Sequence, residues 1–167
     1  MRYPMIQITR ATTHTIPDLA PLLTDWVRHQ QVPFLLDYGN VSDWLYTMLK
    51  DDKVGCYIAR DFIPQSPPNN EIVGWILGKL SNYTFTQELF AQEMSWYVSE
   101  SYKGKGVGGH LMNAFIEWAQ EQGAHGVIST ILLSASEDSG QSAIKRLNHM
   151  GFKEFERTFC RMFKRDE

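Results

Sequence analysis

Four glycines and two lysines fall within seven residues, Lys103-Gly104-Lys105-Gly106-Val107-Gly108-Gly109. A stretch of helical periodicity overlaps their end. Val107, Leu111, Phe115, Trp118 and Gln122 step by four, four, three and four, which predicts a helix of about four turns with one apolar face. Gly123 is placed to end it. On the other side, Glu93 to Val98 reads as a strand. A strand, a glycine-rich turn and a helix in that order restrict the chain to folds that mix helix and sheet.

The rest of the sequence extends that frame. Ile6-Gln7-Ile8-Thr9-Arg10-Ala11 alternates apolar and polar residues as a first strand. Thr15, Pro17 and Asp18 make a helix start, with a capping hydroxyl, a first-turn proline and an acid at the positive end. Leu19, Leu22, Leu23, Trp26 and Val27 then recur at helical spacing. Gln30 to Asn40 is a loop, and Ser42 caps a second helix with Trp44, Leu45, Met48 and Leu49. Val54 to Phe62 and Ile72 to Gly78 are strands around the turn residues Pro64 to Asn70, an antiparallel hairpin with a long loop. Asn82 to Phe90 is polar and aromatic and reads as a loop or short helix. Gly126 to Leu133 is an apolar run fitting a strand buried on both faces. Ser139 to Met150 is helical and closed by Gly151, and Phe152 to Phe163 holds one or two terminal strands. The fold class is therefore α/β: a single mixed, mostly antiparallel sheet flanked by helices. The 167 residues suit one domain spanning 1–167.

Composition excludes several functions. The net charge is −3, whereas nucleic-acid binding needs concentrated positive charge. Neither a signal peptide nor a run of about 20 apolar residues is present, so no membrane association is expected. The two cysteines, Cys56 and Cys160, and the five histidines fall in no metal-binding pattern. The expectation is a cytoplasmic protein with reduced thiols and no metal. If it oligomerises, a homodimer is the commonest form.

The glycine segment has the chemistry of a phosphate cradle. The first N–H groups of a helix have no internal partner and can donate to phosphate oxygens. Glycines let the backbone approach the ligand, and Lys103 and Lys105 add charge. A plain glycine-rich turn would require fewer of these features. Three phosphate motifs compete. The P-loop needs Gly-Lys-Ser/Thr, but His110 follows Gly109. The dinucleotide fingerprint matches literally as Gly104-Lys105-Gly106-Val107-Gly108-Gly109. However, Ser99 to Lys103 separate it from its strand, and Glu137 and Asp138 lie too far on to be its acid.

The third motif accommodates the whole chain. The stretch Val98 to Gly108 resembles the signature of the GNAT N-acetyltransferase superfamily, Arg/Gln-x-x-Gly-x-Gly/Ala after a strand, with Lys103 at the Arg/Gln position. Ala143 to Phe152, ending in Gly151-Phe152 after a helix, resembles that family's later block. The resemblance implies acetyl-CoA as cosubstrate and direct attack by a primary amine in a ternary complex. It implies that Trp96 and Val98 pair with the pantetheine arm. It also implies that the amides from Lys105 to Gly109, within the Lys103, Gly104, Lys105, Gly106, Val107, Gly108 and Gly109 segment, hold the diphosphate. Lys145 would approach the adenosine 3′-phosphate, a role weighed against that of a solvated surface lysine.

For the chemistry, the resemblance points to Glu93 as base, set against a solvated acid at a strand end. Strand alternation would put Glu93, Ser95 and Tyr97 on one face. The Val98 N–H would stabilise the oxyanion. The family's tyrosine acid falls on Leu147, which leaves Tyr97, Tyr83 or water to protonate the thiolate. The acceptor pocket would use Phe34, Asp37 and Tyr38, aromatic and acidic groups suited to a small-molecule or peptide amine. Trp26 and Trp44, at helical spacing, are expected in the core. Two alternatives remain: a catalytically silent acyl-CoA sensor of the same fold, motivated by Leu147, and an NAD-binding oxidoreductase, motivated by the literal fingerprint.

Overall fold

Glu71–Asn82 is apolar on both faces for most of its length, and a strand buried on both sides belongs at the centre of a sheet. The structure, a computed structural model, describes residues 5–29, 41–62, 71–83, 86–131 and 137–155. Its main elements are β1 (Met5–Arg10), α1 (Ile16–His29), α2 (Val41–Lys50), β2 (Val54–Phe62), β3 (Glu71–Asn82), β4 (Leu89–Val98), α3 (Val107–Glu121), β5 (Gly126–Ile128) and α4 (Glu137–His149). The five strands form one sheet in the order β1-β2-β3-β4-β5. The first four pair antiparallel, and β5 joins β4 in parallel. This is the mixed, mostly antiparallel sheet with helices that the sequence implies.

Each face of the sheet has its own core. On one face, Val107, Leu111, Met112, Phe115, Trp118 and Ala119 of α3 pack with Val73, Ile76, Leu80, Ala91 and Leu147. On the other, Leu19, Leu23 and Leu45 of α1 and α2 cover Cys56, Ile58, Trp75 and Leu77. The apolar spacing of α3 therefore maps onto its buried stripe, apart from Gln122, which is exposed beyond the last turn. Gly78 lies under Phe115, and a Cβ there would collide with that ring and with the Gln92 carbonyl. Gly78→Ala is expected to lower the unfolding free energy by about 1–3 kcal/mol, read as an earlier urea midpoint with an unchanged slope.

Several element boundaries differ from the sequence reading. Thr15 precedes α1, but its hydroxyl accepts the Thr12 amide at 3.0 Å and so stabilises the preceding 3₁₀ turn. Ser42 lies inside α2 rather than ahead of it. Trp44 is 40% exposed, not core, whereas Trp26 packs edge-on against Trp75 at 6.1 Å. β3 runs on to Asn82 and β4 starts at Leu89, so only the two ends of the expected loop, Asn82 and Leu89 to Phe90, are strand; Tyr83 and Thr86 to Glu88 between them are not. β5 is short and half-buried at the sheet edge, where a long doubly buried strand was expected. Phe152 to Phe155 form no regular element, and the rest of the expected terminal strands lie outside the described residues. So do the turn Pro64 to Asn70 and Cys160. Cys56 is buried, which pushes its thiol up to about 12. No helix among the described residues is long and apolar enough to cross a membrane.

Candidate functional site

β4 and β5 part in the middle of β4. Their pairing covers Phe90↔Gly126, Ala91↔Val127 and Gln92↔Ile128 and then stops. At the next position side-chain bonds replace the ladder. The Ser129 hydroxyl donates to Glu93 Oε2 at 2.8 Å, and the Thr130 amide donates to the same carboxylate. β4 also bulges at this point: Leu77 pairs Ser95 and Gly78 pairs Glu93, so Met94 is the extra residue and lies 49% exposed. A bulge sharpens twist and bends the strand, here where the two strands separate.

The bulge corrects two sequence expectations about Glu93. This residue is the fifth of β4, not its first, and it is only 8% exposed, so it is no solvated strand-end acid. It also does not share a face with Ser95 and Tyr97, because a one-residue insertion inverts the alternation. Ser95 pairs with Leu77 of the α1–α2 core, whereas Glu93 pairs with Gly78, which faces Phe115 of α3. Burial raises the Glu93 carboxyl to about 7, outweighing the bonds from Ser129 and Thr130 that lower it.

Past the bulge, β4 has an edge that no other described strand pairs. Ser99 donates its amide to the Val73 carbonyl at 2.9 Å. Backbone groups alternate sides along a strand, so Tyr97 faces β3 while Trp96 and Val98 direct their N–H and C=O groups away from it. On that side no described strand pairs with them. The Tyr97 side chain lies on the α1–α2 face, its ring 4.6 Å from that of Trp75, whose Nε1 donates to Ser95 Oγ at 3.1 Å. Tyr83 packs on Phe90 and Phe155 at the opposite end of β4.

A short 3₁₀ turn, Glu100–Tyr102, carries the chain from β4 to the glycine segment. Its anchor is the Tyr102 hydroxyl, which donates to Asp61 Oδ2 at 2.7 Å across the sheet. Gly104 and Gly106 take φ of 77° and 83°, the left-handed region open to glycine. Gly106 is the residue ahead of α3, and Val107, 1% exposed, fixes the helix start in the core. The first turn closes where the His110 amide reaches the Gly106 carbonyl at 3.1 Å. The Lys105 amide is already bonded to the Tyr102 carbonyl at 3.3 Å. The amides left open by the helix therefore run from Gly106 to Gly109, one fewer than the sequence implied. The lysines also turn elsewhere: Lys103 Nζ pairs with Glu100, and Lys105 Nζ lies 5.1 Å over the Tyr102 ring.

α4 faces this helix start across an open cleft of about 580 Å³, lined among others by Gly106, Gly109, His110, Lys145, Arg146 and His149. Lys145 thus stands in the same cleft as the glycines. Arg146, which sequence reasoning passed over, comes closer: its Nη1 lies 3.6 Å from the point where a Gly108 Cβ would be and 3.7 Å from that of Gly109. The adjacent Lys145-Arg146 pair was the available signal. Ser129, which holds Glu93, gave none. Leu147 is 6% exposed in the α3 core, so the position offers no proton donor. Phe34, Asp37 and Tyr38 lie outside the described residues.

Comparison with known proteins supplies the family and the fold. The pattern of the acetyltransferase (GNAT) family matches residues 21–152. No curated protein sequence matches the chain significantly. Among solved structures, a putative acetyl transferase from Pyrococcus furiosus superposes with a TM-score of 0.71 at 17% identity, over 95% of this chain and 99% of that one. A ribosomal-protein-alanine N-acetyltransferase from Brucella melitensis biovar Abortus 2308 gives 0.68 at 15% identity, over 95% and 99% of the two chains. An aminoglycoside acetyltransferase from an uncultured soil metagenomic sample, in complex with sisomicin, gives 0.67 at 17%, over 95% and 97%.

Proposed function

Because the chain belongs to the GNAT acetyltransferase family, we propose that it is an N-acetyltransferase moving an acetyl group from acetyl-CoA to a primary amine in a single ternary complex. One observation carries this reading: the open amides Gly106 to Gly109 and the edge at Trp96 and Val98, which no described strand pairs, meet at the same end of β4. A diphosphate fits the first and an extended amide-bearing arm fits the second. Both belong to coenzyme A. The whole chain, 1–167, acts as one domain in this reading.

The roles of the remaining residues follow from their chemistry. The Val98 N–H donates to the thioester oxygen as it gains charge. Glu93, buried in the split and with its carboxyl raised to about 7, takes a proton from the amine, directly or through water, near the pH at which such a base works best. The leaving thiolate takes its proton from water or Tyr97, since Leu147 supplies none. It is a tolerable leaving group, with a pKa of about 8.5. Phe34, Asp37 and Tyr38 receive a cationic amine, on a small molecule or a peptide. The superposed proteins, one named for ribosomal-protein alanine and one bound to sisomicin, span both classes.

Two measurements test the reading together. Coenzyme A is expected to raise the melting temperature, and thiol release from acetyl-CoA is expected to turn over steadily with at least one member of an amine panel. Absence of any thermal shift would remove the coenzyme from the account. A shift without turnover would favour the silent sensor that Leu147 suggests.

A further inference from the structure

The glycine-rich start of α3 carries positive charge on positive charge. A helix N-terminus bears roughly half an elementary charge, and cations are ordinarily favoured at the other end. Yet α4 brings the Arg146 guanidinium against it, with Nη1 within 3.6 and 3.7 Å of the Cβ positions of Gly108 and Gly109. This placement is fixed from below, because the next residue, Leu147, is locked in the core. Arg146 is half-buried as a residue, and its guanidinium has no hydrogen bond or ion pair among the described residues. The described residues lining the cleft, His110, Lys145 and Arg146 among them, include no carboxylate. The two lysines that the motif itself supplies are engaged with Glu100 and the Tyr102 ring.

We propose that Arg146 is the cationic clamp on the coenzyme's diphosphate, gripping from α4 the group that the Gly106 to Gly109 amides hold from α3. This rests on the coenzyme A reading above. The planar guanidinium fork matches two phosphate oxygens at once, which an ammonium does not. The ligand, not the protein, supplies the missing counter-charge. Arg146 is thus a specificity residue for the diphosphate, separate from Lys145 and any contact that lysine makes with the 3′-phosphate.

The test is calorimetric titration of wild type, Arg146→Gln and Arg146→Lys with coenzyme A and with 3′-dephospho-coenzyme A. Thermal melts of the unliganded proteins accompany it. Arg146→Gln is expected to weaken both ligands by about tenfold or more, and by the same factor for each. Arg146→Lys is expected to recover part of the loss. The unliganded Arg146→Gln protein is expected to melt no lower than wild type, because a repulsive contact has gone; a purely structural arginine would instead lower the melt. Binding by Arg146→Gln within twofold of wild type overturns the clamp. A loss confined to coenzyme A, with the dephospho form unaffected, also overturns it by assigning Arg146 to the 3′-phosphate. Wild-type protein that binds neither ligand sinks the coenzyme reading and the clamp with it, an outcome distinct from the other two.

Discussion

Glu93→Gln is expected to cut kcat/KM for amine acetylation by about 10²–10⁴-fold, the usual worth of a positioned base. The amide keeps an acceptor for Ser129 and for the Thr130 amide, which hold the carboxylate in the native protein, so the split between β4 and β5 should persist. The pH behaviour separates a base from a structural acid. Burial keeps Glu93 protonated up to about pH 7, against an ordinary value of 4.5. Wild-type kcat/KM should therefore rise with pH through about 7, and that limb should vanish in the variant. Stability moves the opposite way. Between 4.5 and 7 the folded chain holds a proton that the unfolded chain has lost, so this contribution is full below 4.5 and declines as pH rises to 7. Ionised Glu93 costs roughly 3 kcal/mol at most above that range. At pH 8 Glu93→Gln should accordingly melt higher than wild type, and at pH 4.5 the gain should disappear. Retained activity with an unchanged pH limb would remove Glu93 from the chemistry.

The second large effect is at the cradle. Gly106 has a φ of 83° immediately ahead of α3. Valine there is strained by about 1–3 kcal/mol, and its side chain would occupy the cleft beside the His110 ring, which lies 3.6 Å from the Cβ position, where a diphosphate must enter. Losing one or two charge-assisted hydrogen bonds, at about 1.5–3 kcal/mol each, predicts coenzyme A affinity lower by about 10–10³-fold. Gly104→Val is the control. Its φ of 77° imposes the same strain, but nothing lies within 4 Å of its Cβ position, and it sits outside the open amide set. Both variants should lose similar melting temperature, and only Gly106→Val should lose the ligand. Equal affinities for the two would mean that the amides do not bind it.

Local patterns in the sequence carried much of this account. Val107, Leu111, Phe115 and Trp118 announced the buried stripe of α3 because a helix against a sheet must show its 3.6-residue period. Gly123 and Gly151, both with positive φ, marked helix ends for the same local reason. Features set by tertiary pairing were hidden. The Met94 bulge leaves no periodic signal, yet it moves Glu93 to the opposite face from Ser95. The run after Ile128 reads as strand, but beyond the last ladder pair the Glu93 side chain takes the Ser129 hydroxyl and the Thr130 amide instead. Lys103 and Lys105 looked like the anion's partners, whereas neighbours within three residues absorb them. Arg146 reaches the cradle only through the packing of α4 on α3, which no spacing rule encodes.

Whether the amides opening α3 hold the coenzyme's diphosphate is tested most directly by amide-resolved NMR titration with acetyl-CoA. Saturable shifts are expected, largest at Gly106, Val107, Gly108 and Gly109, with smaller ones at Trp96 and Val98. Saturation that leaves those four amides unmoved while other residues shift would mean that they do not hold it.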